Sequence, residues 1–194
     1  MKLIGLTGSI ASGKTTVLKI FKSLGYPTIS CDELYHKLLK TDSYLQQKLV
    51  KTFGKGILDK NRISTLKLAK IICDNRENLR KLEEITHPVI LKKVFDEVRR
   101  FKNNKYKFCV IDIPLLFEKK LEKKFDYIIT VYCSKTTQFE RLKERNMDVN
   151  LLRVLFSRQK GIKEKIQNSD FVINNDNVSK KELRKQVERI INFL

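Results

Sequence analysis

One eight-residue segment limits what this chain can become: Gly8-Ser9-Ile10-Ala11-Ser12-Gly13-Lys14-Thr15, which follows the pattern Gly-x-x-x-x-Gly-Lys-[Ser/Thr]. Its context is that of a strand-to-helix turn. Residues 2–7 (KLIGLT) are apolar enough for a buried strand, and from Lys14 onward Val17, Leu18, Phe21 and Leu24 recur at helical spacing. Gly25 then stands where a helix C-terminus favours glycine. The glycines let the backbone turn tightly, so that successive N–H groups and the helix N-terminus face an anion. Gly8, Ala11, Ser12, Gly13, Lys14, Thr15 and Thr16 are therefore candidate ligands of a nucleoside triphosphate. Lys14 has the reach for the β- and γ-phosphates, and the Thr15 hydroxyl suits Mg²⁺. The plainer alternative, a glycine-rich turn that merely starts a helix, leaves the Gly-Lys-Thr order unexplained.

Further along, residues 27–31, 107–113, 126–132 and 170–174 read as strands. A helix is expected from about Lys135, and Leu183, Val187, Ile190, Ile191 and Leu194 mark a last amphipathic one. Strands separated by helices imply crossovers and a parallel sheet covered on both faces. The expected fold class is α/β, with a five-stranded parallel sheet in one domain over 1–194. A mostly helical insertion occupies about 33–102, with a helix opening at Pro88 and carrying Ile90, Leu91, Val94, Phe95, Val98 and Phe101. No apolar run is long enough to span a membrane, and residues after Met1 lack a signal-peptide pattern, so a cytoplasmic protein is expected. Cys31, Cys73, Cys109 and Cys133 form no zinc spacing, and a reducing compartment disfavours a disulfide framework.

The net charge of +19 has three readings: nucleic-acid binding, attraction of anionic small molecules, or a general lysine bias. The basic residues are spread along the chain with few interleaved aromatics, which disfavours a nucleic-acid patch. No Asn-Lys-x-Asp or Asp-x-x-Gly segment suits a GTPase. Asp112-Ile113-Pro114 lacks the second acid of a motor ATPase. A small-molecule kinase remains. Asp32, after the second strand, is either a base for an attacking hydroxyl or a helix cap. His87 has a structural and a functional reading. After the third strand, Asp112 is a candidate near Mg²⁺, Pro114, Leu115 and Leu116 a substrate wall, and Glu118 a ligand-facing acid. Arg141 and Arg145 share a helix face. Residues 141–165 hold eight Lys or Arg against Glu144, Asp148 and Glu164, which suits a lid over phosphates.

Taken in order, these segments resemble the dephospho-CoA kinase family. The likeness runs from Ile4-Gly5-Leu6-Thr7-Gly8 through Lys14-Thr15 and Asp32, then Phe53-Gly54, Arg62, Thr86-His87-Pro88 and Pro114-Leu115-Leu116-Phe117-Glu118. It continues through Gln138, Arg141, Ser157-Arg158-Gln159 and Ser169–Asn175. Three places depart from the family pattern. Ser30-Cys31-Asp32 replaces Asp-Ala-Asp, Asn174-Asn175-Asp176-Asn177 replaces Asp-Asn-Asn-Gly, and Lys163 and Lys165 stand where Arg is usual. The resemblance implies ATP as phosphoryl donor, Mg²⁺ on Thr15 and Asp112, and the ribose 3′-hydroxyl of dephospho-CoA as acceptor. It implies catalytic roles for Lys14, Asp32 and Arg141, with Arg145 also on the phosphates. Acceptor contacts fall to Asp32, Arg62, His87, Pro114, Leu115, Leu116 and Glu118. Another nucleoside or nucleotide kinase of this type, or a nucleic-acid-linked NTP-binding protein, stays open as an alternative. No nucleic-acid or membrane partner is expected; the sequence assigns no oligomeric state, and a monomer is favoured.

Overall fold

The computed structural model describes residues 1–73, 75–145 and 149–194, with the side chains of 73, 76 and 149–151 outside the description. Asp148, counted in the lid, and the Cys73 thiol therefore lie outside the described residues. The order of elements is β1 (Lys2–Gly8), α1 (Lys14–Ser23), β2 (Thr28–Ser30), α2 (Cys31–Thr41), α3 (Ser43–Phe53), β3 (Leu58–Asp59), β4 (Arg62–Ile63), α4 (Thr65–Cys73) and α5 (Arg76–Lys102). Then come β5 (Phe108–Asp112), β6 (Tyr127–Tyr132), α6 (Lys135–Glu144), α7 (Val149–Ser157), α8 (Ile162–Gln167), β7 (Phe171–Asn174) and α9 (Lys180–Phe193). The chain forms two compact units, one of Met1–Ser30 with Val98–Leu194, the other of Cys31–Glu97.

The first unit holds a five-stranded parallel sheet in the order β2-β5-β1-β6-β7. These are the five strands expected from the sequence. β5 is buried along its whole length, as a central parallel strand must be when helices cover both faces. Ile4, Leu6, Val110, Ile129, Val131 and Ile173 of the sheet pack with Val17, Leu18 and Phe21 of α1 and Leu183, Val187 and Ile190 of α9. Each such side chain contributes roughly 1.5–3 kcal/mol on burial. α1 stops at Ser23, and Gly25 (φ 86°) donates its N–H to Lys22 O at 3.1 Å, the turn-off that the sequence anticipates.

The second unit has a core of Leu38, Leu39, Leu45, Leu49, Ile57, Leu68 and Leu82. Asp42 caps α3 by accepting from Leu45 N–H at 2.8 Å. Two features depart from the sequence reading. β3 and β4 form a short antiparallel hairpin inside the stretch read as helical, with Leu58 opposite Ile63. Lys60 and Asn61 turn it with φ of 45° and 62°, the paired positive angles of a primed turn, and Asn61 was its signal. In addition, α5 does not open at Pro88 but runs through it. Pro88 supplies no N–H to the preceding turn. The helix survives because Leu82 lies in the core with Ile85, Val89 and Ile90 packed on it, apolar residues on both sides of the proline.

Candidate active site

The phosphate loop is built by β1 ending at Gly8 and α1 starting at Lys14. A Cβ on Gly8 would collide with Val131 O, and one on Gly13 (φ 94°) with the Asn175 side-chain amide, so both positions require glycine. α1 has no acid in its first turn and no side-chain cap, leaving its positive end for an outside anion. Lys14 Nζ donates to Ser9 O at 2.9 Å and Gly8 O at 3.2 Å, so its ammonium lies folded onto the loop. Ala11 holds a left-handed φ of 57°.

The outward carbonyls of the loop are pinned. Asn175 Nδ2 donates to Ser12 O at 2.7 Å. Arg141 donates to Ala11 O at 3.2 Å and to Asn175 O at 2.9 Å. In a trans peptide the C=O and the next N–H point in opposite directions. Holding Ala11 O and Ser12 O outward therefore turns the Ser12 and Gly13 N–H groups the other way. Arg141 thus stands on the loop it was expected to serve, while Arg145 is exposed at the end of α6. Asn175 had no assigned part beyond the family likeness.

The start of α6 is fixed by Asp176. Its carboxylate accepts from Thr137 Oγ1 at 2.6 Å, Ser134 Oγ at 2.8 Å and Ser134 N–H at 3.1 Å. These hydrogen bonds, Thr137 first, hold its pKa below the ordinary aspartate value. A depressed folded pKa contributes stability above the unfolded value, about 3.9, and loses it as pH falls through the folded one. Wild type is expected to lose thermal stability more steeply than Asp176→Asn below about pH 4. Parallel melting curves for the two proteins across that range would remove this role.

Asp112 closes β5 in register with Leu6 and Ser30, and its side chain is buried. Thr15, in the first turn of α1, is exposed. In the other unit Asp32 is exposed in the first turn of α2. The helix already begins at Cys31, so Asp32 sits inside it and not at the cap before Glu33. Arg62 lines a cavity of about 710 Å³ with His36, Lys40, Asp59 and Lys60. Lys40, Lys60 and Arg62 enter no ion pair with a described residue, while Asp59 pairs with Lys67. His87 is half-buried within α5.

One wall residue and the ligand-facing acid turn out to face inward. Leu116 is wholly buried, its Cδ1 close to where a Cβ on Gly5 would lie, so it packs in the core while Pro114 and Leu115 stay partly exposed. Glu118 does not face outward to a ligand. Its side chain is 10% exposed and pairs at 2.8 Å with Lys165 Nζ, which is 0% exposed. Lys165 Nζ also donates to Pro114 O, and Glu118 accepts the Lys160 N–H at 2.8 Å. The thiols of Cys31, Cys109 and Cys133 are buried, and burial pushes the Cys109 thiol up to about 12, which suits packing and not chemistry.

The comparisons with known proteins point to one kinase family. The sequence model of the family described as dephospho-CoA kinase matches residues 2–181. A dephospho-CoA kinase of Listeria innocua is 39% identical over 199 residues, covering 98% of both chains. One of Aquifex aeolicus is 37% identical, covering 98% of this chain and 96% of its own. Among solved structures, dephospho-CoA kinase from Campylobacter jejuni superposes with TM-score 0.70 at 30% identity, over 98% of this chain and 95% of that one. The protein TT1252 from Thermus thermophilus shares the fold at TM-score 0.83 and 24% identity, over 99% and 96%. The chain belongs to the dephospho-CoA kinase family, enzymes that transfer phosphate from ATP to dephospho-CoA.

Proposed function

We propose that this protein transfers the γ-phosphoryl of ATP to the ribose 3′-hydroxyl of dephospho-CoA, with Asp32 as the base. The observation that carries the donor half is the braced phosphate loop with Lys14 folded onto it. The family match over 2–181 supports the acceptor half. Phosphoryl transfer asks for positioning and charge stabilisation more than covalent chemistry. Lys14 takes charge from the β- and γ-phosphates, and Arg141 braces the loop through Ala11 O. Arg145 reaches the phosphates from a lid, whereas Lys165 is committed to Glu118 and Lys160 to Glu164. Asp32 orients the 3′-hydroxyl and accepts its proton.

Arg62, with Lys40 and Lys60 beside it, supplies unpaired positive charge that suits the diphosphate of dephospho-CoA. His87, Pro114 and Leu115 supply further acceptor contacts. Among the described residues no three His, Cys, Asp or Glu side chains gather to hold a metal by themselves. A hydroxyl at Thr15 and a carboxylate at Asp112 instead fit Mg²⁺, which binds through one or two protein groups together with substrate phosphates. Bound there, Mg²⁺ supplies neutralisation of phosphate charge. No helix among the described residues is long and apolar enough to cross a membrane.

The test is ADP release with Mg-ATP, comparing dephospho-CoA with AMP, CMP, dTMP, adenosine and single-stranded RNA. Turnover with dephospho-CoA and a 3′-phosphorylated product are expected. Turnover confined to another acceptor would overturn the reading.

A further inference from the structure

We propose that Gln159 is a positioning residue that sets the resting place of Lys14 through the Ser9–Ile10 peptide. Three observations meet at that peptide. Ile10 N–H donates to Gln159 Oε1 at 2.9 Å. The carbonyl of the same peptide unit, Ser9 O, accepts from Lys14 Nζ at 2.9 Å and from Ser12 N–H at 3.2 Å. Because the unit is planar and trans, its N–H and C=O point opposite ways and turn together. Gln159, by taking the N–H on one side, holds Ser9 O toward Lys14 on the other. With no acceptor at 159 the peptide can rotate, and the lysine loses a fixed partner.

Gln159 can do this because its own backbone is anchored. Its N–H donates to Phe156 O at 3.1 Å. The next residue, Lys160, gives its N–H to Glu118, which is locked by buried Lys165. Lys165 Nζ holds Pro114 O as well, and Ser169 Oγ bonds Thr130 Oγ1 at 2.6 Å and Lys165 O at 2.7 Å. The segment from 159 to 169 is thus tied to the strands that carry the phosphate loop. A flexible arm holding Ile10 would cost the entropy of ordering it, whereas a side chain on a fixed base loses little more.

The inference needs only a kinase that binds nucleotide on this loop, and it is tested with ADP alone, so it stands or falls separately from the acceptor. Gln159→Met keeps the length of the side chain and removes the acceptor. It is expected to weaken Mg-ADP binding about 5- to 10-fold by calorimetry, with a melting temperature close to wild type. In a Lys14→Met background the same change is expected to have almost no effect on binding, since the two act through one peptide. Equal losses in both backgrounds, or ADP binding unchanged within twofold by Gln159→Met, would overturn the proposal. Amide exchange of the wild type gives a check independent of any variant. Ile10 N–H is expected to be protected without nucleotide, and exchange at the rate of an unstructured amide would also overturn it.

Discussion

Asp32→Asn is expected to lower kcat by about 10²–10⁴-fold while leaving the dissociation constant for ATP within about twofold, as expected for loss of a general base that does not touch the donor. The separation follows from chemistry: Asn keeps the size and hydrogen bonding of the side chain but cannot take the proton, and the donor contacts of Gly8–Thr15 and Arg141 are left unchanged. The position of Asp32 in the first turn of α2 beside Glu33 also gives it a share in the helix dipole. That share is worth only about 0.3–1 kcal/mol, too little to account for a large fall in turnover through unfolding. Steady-state kinetics together with calorimetric ATP binding decide the matter. Turnover surviving within a few-fold would make Asp32 a helix-stabilising acid and leave the proton to another group.

Lys165→Met is expected to destabilise the protein by about 3–5 kcal/mol, because it leaves the Glu118 carboxylate buried without its counter-charge. Glu118 Oε2 is already buried without a hydrogen-bond partner, so Oε1 and its contacts carry the compensation for this acid. Against a total stability of roughly 5–15 kcal/mol such a loss is large. The double variant Glu118→Leu with Lys165→Met is expected to recover most of it, since removing both charges removes the penalty. Chemical denaturation of the two proteins provides the measurement. A single variant as stable as wild type would mean that water reaches the pair. Lys160–Glu164, by contrast, is 41% and 49% exposed, so water and salt screen it and its loss is expected to change stability little.

Much of this protein was legible along the chain because the relevant physics is local. The eight residues from Gly8 to Thr15 specify a turn, a helix start and a cation within a few bonds of each other, so the donor site could be read before the fold. The strands of the sheet declared themselves as short apolar runs, since a parallel strand buried on both faces admits little else. Asp32, Arg62 and His87 came from the family likeness, and their spacing alone left cap and core readings open.

Other features depended on residues far apart in sequence. Pro88 reads as a helix start by local rule, and only apolar packing on both sides of it lets α5 continue. Leu116 and Glu118 look like wall and ligand in a one-dimensional pattern. Burial against the residues around Gly5 makes the first a core residue, and Lys165 makes the second half of an ion pair. The bonds from Gln159 to Ile10 and from Asn175 to Ser12 span 149 and 163 residues. The kind of anion this loop receives is set locally, because backbone turn, helix end and lysine are neighbours in the chain. How that loop is held is settled by folding alone, because a hydrogen bond depends on where two groups meet in space and leaves no periodicity in the sequence.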